Sequence, residues 1–326
     1  MNTLFKRLAC ALAIIAAAMM ASVASASELV AQLQPTPAAI SPIATDAAML
    51  AATWAGPRVV SVGDNGVILL SDDRGLSFRQ AQGVPVSSML TGVSFADPKN
   101  GWAVGHWGAI LATTDGGEKW RVQRLAMAED RPLFAVHFFD AQRGVSVGLW
   151  SLVLVTQDGG KSWTEQKVSP KDQGLSDLNL INLFPDAKGG VFATAERGRL
   201  LHSADAGRTW DYLSTGYEGS LWCGVQLSDG TLLVGGQRGT LLRSEDGGQS
   251  WVRVPLGSKS SLTSIDANGL EVMVVGLDGL QKHSLDGGRT FQEATAPSKE
   301  SLTAVLAAED GKWLLFSRHG IVPQTK

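Results

Sequence analysis

The sequence predicts an all-β fold: one seven-bladed β-propeller of four-stranded blades, closed by an N-terminal strand that completes the last blade. Three observations carry this prediction. An Asp-centred motif, S/T-x-D-x-G-x-(S/T/K)-(W/F), occurs six times, with its aspartates 42, 43, 47, 41 and 40 residues apart. A G-x-x-G turn signature, strict or relaxed, recurs seven times at the same interval. Between the motifs run short alternating apolar stretches. A repeat of about 40 residues with several short strands is the size of one blade, which buries its faces only by stacking against its neighbours.

In chain order, residues 1 to 26 read as a cleaved signal peptide and residues 27 to 326 as the propeller. Lys6 and Arg7 precede the apolar run Leu8 to Met20, and Ala24-Ser25-Ala26 offers a small-x-small cleavage site. The apolar run is too short to span a membrane, and Cys10 lies in the wrong order for a lipid anchor. Glu28 to Gln34 follows with strand length and partial alternation, ended by Pro35 and Pro37. This is the expected closing strand.

The strands are clearest in the second repeat. Leu90 to Phe95 alternates, Gly101 to Val104 follows a turn, Ala109 to Thr113 leads into the Asp motif, and Lys119 to Val122 makes the outer strand. The Asp motif is then the hairpin between third and fourth strands. Its carboxylate accepts backbone N–H bonds, and its glycine takes a positive φ. Asp73, Asp115, Asp158, Asp205, Asp246 and Asp286 are therefore structural residues, each followed by an aromatic that packs into its blade. A seventh unit has three strands, Leu302 to Ala307, Lys312 to Ser317 and Ile321 to Thr325, with no Asp motif. Its missing outer strand is what Glu28 to Gln34 supplies.

With Lys6 and Arg7 set aside, 26 basic residues face 31 acidic ones, a net charge of −5. That lacks the basic footprint of a nucleic-acid partner. Cys223 is then the one remaining cysteine, inside the inner-strand run Leu221 to Val225, and reads as a buried, inert thiol. No CxxC, HExxH or phosphate-binding loop occurs, and the histidines have no close metal spacing. Neither a metal nor a cofactor is expected.

The repeated motif resembles the BNR or Asp-box of sialidases and related propellers. The longer unit, Gly101-Trp102-Ala103-Val104-Gly105-His106-Trp107-Gly108 running to Thr114-Asp115-Gly116-Gly117, resembles the photosystem II stability and assembly factor family. That resemblance implies an exported, non-catalytic seven-bladed propeller that holds subunits of a membrane-protein complex during assembly. The implied location is the periplasm, or the thylakoid lumen in a photosynthetic host. The protein is expected to be a monomer, peripheral to a membrane at most.

Two other functions fit the same architecture. One is a sialidase-like carbohydrate-binding or glycoside-hydrolysing propeller, which needs an arginine triad and a Tyr–acid pair. The one candidate pair is Tyr217 beside Glu218, and Gly56-Pro57-Arg58-Val59-Val60 has the order of the sialidase arginine motif wrong. The other is an envelope accessory protein of a transporter or secretion system.

Partner-binding residues are expected in the turns between second and third strands, which share one face with the connections between blades. In blade order the turn pairs are Asp64-Asn65, His106-Trp107, Leu149-Trp150, Glu196-Arg197, Gln237-Arg238, Leu277-Asp278 and Arg318-His319. A turn needs only small or polar residues, yet tryptophans and arginines occur here, the types enriched at binding hot spots. His106, Trp107, Trp150, Arg197, Arg238, Arg318 and His319 are thus the candidate site, the arginines for carboxylates and the tryptophans as apolar anchors. The connections Ala128 to Arg131 and Ser169 to Asp177 are expected on the same face.

Overall fold

The computed structural model describes residues 35–168, 177–294, 299–308 and 310–323. The proposed signal peptide, the closing strand Glu28 to Gln34 and most of the connection Ser169 to Asp177 lie outside the described residues. Residues from Pro37 onward form one compact unit. Among the described residues, six antiparallel four-stranded sheets and one three-stranded sheet follow one another in strict chain order. Blade 1, for example, is Met49–Ala55, Arg58–Gly63, Ile68–Ser71 and Arg79–Gln80, from the centre outward. The three-stranded sheet is blade 7, Leu302–Ala307, Trp313–Ser317 and Gly320–Val322.

The apolar pattern explains the ring. Second strands are the most buried, from end to end in Gly101–Gly105, Gly144–Gly148 and Val191–Ala195. Because their side chains alternate, each blade presents one apolar set to the blade before it and another to the blade after it. The buried residues accordingly fall into seven clusters, one for each gap between neighbouring blades. Val60, Val62 and Leu70 of blade 1 meet Leu90, Ala103 and Leu111 of blade 2. On its other side blade 1 gives Met49, Val59 and Leu69 to Ala304, Leu314 and Phe316 of blade 7, which closes the circle. The Trp54 indole N–H adds a bond to the Ala307 carbonyl across this seam (2.8 Å).

The Asp motifs are built as their residue types require. The Asp73 carboxylate accepts the Ser71 hydroxyl (2.8 Å), the Ser77 N–H (2.9 Å) and the Ser77 hydroxyl (2.5 Å). The same three-way capture recurs at Asp158, Asp205, Asp246 and Asp286. At Asp115 the Thr113 hydroxyl and the Lys119 N–H supply two of the three bonds, since Lys119 stands where the other motifs have a hydroxyl. Donation from the hydroxyls of Ser77, Ser162 and Ser250 leads in holding the carboxyls of Asp73, Asp158 and Asp246 down at about 2. The motif tryptophans have a polar task besides packing. The indole N–H groups of Trp120, Trp210 and Trp251 donate to the carbonyls of Gly117, Gly207 and Gly248.

A central channel of ≈ 720 Å³ runs between the seven innermost strands. Near the start of each of these strands the pairing with the second strand slips by one residue. The extra residues are Leu50, Thr91, Phe134, Ile181, Trp222, Thr263 and Thr303, and all seven line the channel. A bulge of this kind re-aims the side chain it carries.

Candidate functional site

The turns between second and third strands lie at one end of the blades, and the Asp motifs lie at the other. Main-chain bonds fix the turns. In six blades the first residue inside the turn donates its N–H to the carbonyl just ahead of the innermost strand. Asp64 reaches Ala48 (2.9 Å), His106 Met89 (3.0 Å), Leu149 Pro132 (3.1 Å), Glu196 Asn179 (3.3 Å), Gln237 Ser220 (3.1 Å) and Leu277 Ser261 (2.9 Å). The glycine that opens the signature is extended; its contribution is closeness, not a special φ. A Cβ on Gly105 would stand 2.1 Å from the Met89 carbonyl oxygen. Blade 4 has Ala195 in that place, and its bond is the longest of the six.

The second residue inside the turn is left-handed in blades 1 to 6: Asn65 (φ 55), Trp107 (60), Trp150 (53), Arg197 (54), Arg238 (56) and Asp278 (56). Asn and Asp accept this conformation readily. For Trp and Arg it costs about 1 kcal/mol each, and strain of that kind is characteristic of ligand-holding positions. Local bonds hold the strained residues in place. The Trp107 carbonyl accepts the Ala126 N–H (2.8 Å), while Arg124 donates to the Gly108 carbonyl (2.8 Å). The Trp150 N–H donates to Asn179 Oδ1 (3.1 Å), and Asn179 Nδ2 donates to Glu196 Oε1 (3.2 Å). Asn179 therefore joins the Trp150 turn to the Arg197 turn. The Arg238 N–H donates to Ser261 Oγ (3.3 Å), and the Tyr217 hydroxyl donates to the Gln237 carbonyl (3.1 Å).

The side chains so held form an arc over four consecutive blades. Trp107 and Trp150, 37% and 55% exposed, occupy blades 2 and 3. Arg197 and Arg238, both exposed, occupy blades 4 and 5. Arg318 stands apart on blade 7, separated from Arg238 by the Asp278 turn of blade 6. His106 and His319 are exposed, and His319 Nδ1 lies 2.8 Å from Glu300 Oε1. The arc thus contains an apolar half and a basic half, suited to a chain segment carrying both apolar side chains and carboxylates.

Asn179 and the channel residue Trp222 escape a reading based on motifs. Trp222 sits in a run that reads as an inner strand, and only aligning the seven bulge positions singles it out. Of the chemically reactive candidates, Cys223 is buried with its Sγ 3.5 Å from the Gly235 carbonyl, and burial pushes its thiol well up. Tyr217, which with Glu218 is the one candidate Tyr–acid pair, donates its hydroxyl to the Gln237 carbonyl. Among the described residues, no three His, Cys, Asp or Glu side chains are grouped to hold a metal ion.

The family model described as photosynthesis system II assembly factor YCF48 matches residues 76–221. Among curated proteins no match to the sequence is found. Among solved structures, "YCF48 bound to D1 peptide" is similar at TM-score 0.71 and 20% identity, covering 88% of this chain and 98% of that one. YCF48 from Cyanidioschyzon merolae follows at TM-score 0.69 and 16% identity, covering 86% and 96%. The β-propeller domain of Myceliophteria thermophila Cps50 (Swd1) reaches TM-score 0.65 at 13% identity, covering 86% and 98%. That last likeness shows that the ring itself is common to propellers of different kinds.

Proposed function

We propose that this β-propeller, similar to photosystem II assembly factors, is a non-catalytic scaffold that binds a segment of a membrane-protein subunit and so aids assembly or stability of its complex. The observation that carries this reading is the arc of Trp107, Trp150, Arg197 and Arg238, four bulky side chains held left-handed on neighbouring turns of one face. A similar propeller solved with D1 peptide supports peptide binding as a use of this fold. Export by a cleaved signal peptide, to the periplasm or the thylakoid lumen, belongs to the same proposal and is supported by residues 1 to 26. Absence of catalysis is supported by the hydroxyl of Tyr217 being committed to a turn carbonyl and by the burial of Cys223.

The test uses the tagged protein in its native host, crosslinked and purified from solubilised membranes. Recovery of a membrane-protein complex that is lost on replacing Arg197 and Arg238 is the expected outcome. Equal recovery with and without the two arginines would remove the arc from the binding face.

A further inference from the structure

The seven bulge residues at the channel wall are not chemically equivalent. In blades 2, 6 and 7 the residue is threonine, and its hydroxyl fastens one blade to the next. Thr91 donates to the Leu133 carbonyl (2.7 Å), Thr263 to that of Leu302 (2.8 Å), and Thr303 to that of Met49. In blades 3, 4 and 5 the same position carries Phe134, Ile181 and Trp222. These three cannot make the fastening bond. They are half-buried, so part of each apolar surface still faces the channel. Four blades thus lack the inter-blade hydroxyl bond, and in three of them, consecutive around the ring, the change builds a continuous apolar wall; Leu50 of blade 1 stands apart from it. The bulges lie at the start of the innermost strands, the end of the channel nearest the turns of Trp150, Arg197 and Arg238 on those same blades.

We propose that Phe134, Ile181 and Trp222 form a pocket at the channel mouth that receives one bulky apolar side chain from the segment held by Arg197 and Arg238. The inference rests on the binding-face function proposed above, and names its ligand chemistry: a large aliphatic or aromatic residue a few positions from a carboxylate pair. Arg197 and Arg238 stand on the turns of blades 4 and 5, the blades whose bulges supply Ile181 and Trp222, so a segment engaging both must carry acidic and apolar groups together. A small side chain leaves the wall wet; a large one removes apolar surface on both partners from water.

The rest of the ring supplies a variant that keeps the fold. Phe134→Thr with Trp222→Thr installs at blades 3 and 5 the residue already used at blades 2, 6 and 7. The probes are fluorescein-labelled ten-residue peptides with one position set to Ala, Thr, Leu, Phe or Trp. That position lies one to five residues from an Asp-Glu pair or, in matched neutral peptides, from an Asn-Gln pair. Binding is read by fluorescence anisotropy. Wild type is expected to bind the Leu, Phe or Trp peptides roughly tenfold tighter than their Ala counterparts. The double variant is expected to lose that preference while keeping its preference for acidic over neutral peptides.

A preference that survives in the double variant overturns the pocket, as does acidic-peptide binding with no apolar preference, or no binding across the panel. An apolar preference that is equal in acidic and neutral peptides, and lost in the double variant, sustains the pocket and instead removes the carboxylate role of the arginines.

Discussion

Replacing Arg238 with asparagine separates a side chain kept for binding from one kept for the fold. Arg238 is exposed and left-handed (φ 56), and its backbone N–H donates to Ser261. The substitution leaves that bond and the turn bond of Gln237 in place. Blades 1 and 6 already use Asn65 and Asp278 at this position. A left-handed arginine costs about 1 kcal/mol and asparagine less, so Arg238→Asn should stabilise the fold by about 0.5 kcal/mol. Arg238→Ala keeps the unfavourable φ and should gain nothing. Losing one charge-assisted bond to a carboxylate should weaken an acidic peptide about tenfold. Urea unfolding of the three proteins, with peptide anisotropy alongside, measures both effects. A loss of about 1 kcal/mol or more in Arg238→Asn would show that the arginine braces the turn, and the argument from strain to binding would fail.

Other perturbations probe the frame. Gly105→Ala puts a methyl group 2.1 Å from the Met89 carbonyl oxygen, and should lower stability by about 1–3 kcal/mol in thermal melts. Ala195→Gly, the reverse change in blade 4, should shorten the Glu196–Asn179 bond, which a crystal structure of the variant can check. Thr303→Val removes the hydroxyl bond to Met49 across the seam of blades 7 and 1, and should cost about 1 kcal/mol in urea unfolding. Acid should destabilise the protein in two steps. Burial holds His137 down at about 4, so the unfolded chain binds a proton there first, and stability falls as pH drops from about 6.5 to about 4. The carboxyls of Asp73, Asp158 and Asp246, held at about 2 against a usual 3.8, keep their contribution above about pH 4 and lose it as pH falls towards 2. Urea midpoints across this range, in wild type and His137→Phe, should show the upper step vanish and the lower one remain.

The ring was legible because its determinants are local and repeated. Each Asp motif closes through atoms within four residues of its aspartate, so residue types at fixed offsets specify it completely. The turn signature has the same property, although its first glycine serves close approach to a carbonyl and not backbone freedom. Placement of Trp107, Trp150, Arg197 and Arg238 followed from counting blades. Arg318 lies on blade 7, beyond the Asp278 turn of blade 6, a separation that blade order had already fixed. Asn179 joins turns from two blades through both ends of its amide, a contact between repeats that no single repeat encodes. Phe134, Ile181 and Trp222 look like ordinary strand residues until their seven counterparts are set side by side.

The six identical main-chain bonds that pin the turns have an evolutionary consequence. They run between backbone atoms, so the side chains at each of these tips contribute little to holding the turn, and the six tips are close to independent positions on a fixed frame. A propeller of this kind can change allegiance one blade at a time. A tip substitution alters what the face recognises without passing through an unfolded ancestor, and gene copies of one scaffold can diverge to serve unrelated complexes while their blades stay superimposable.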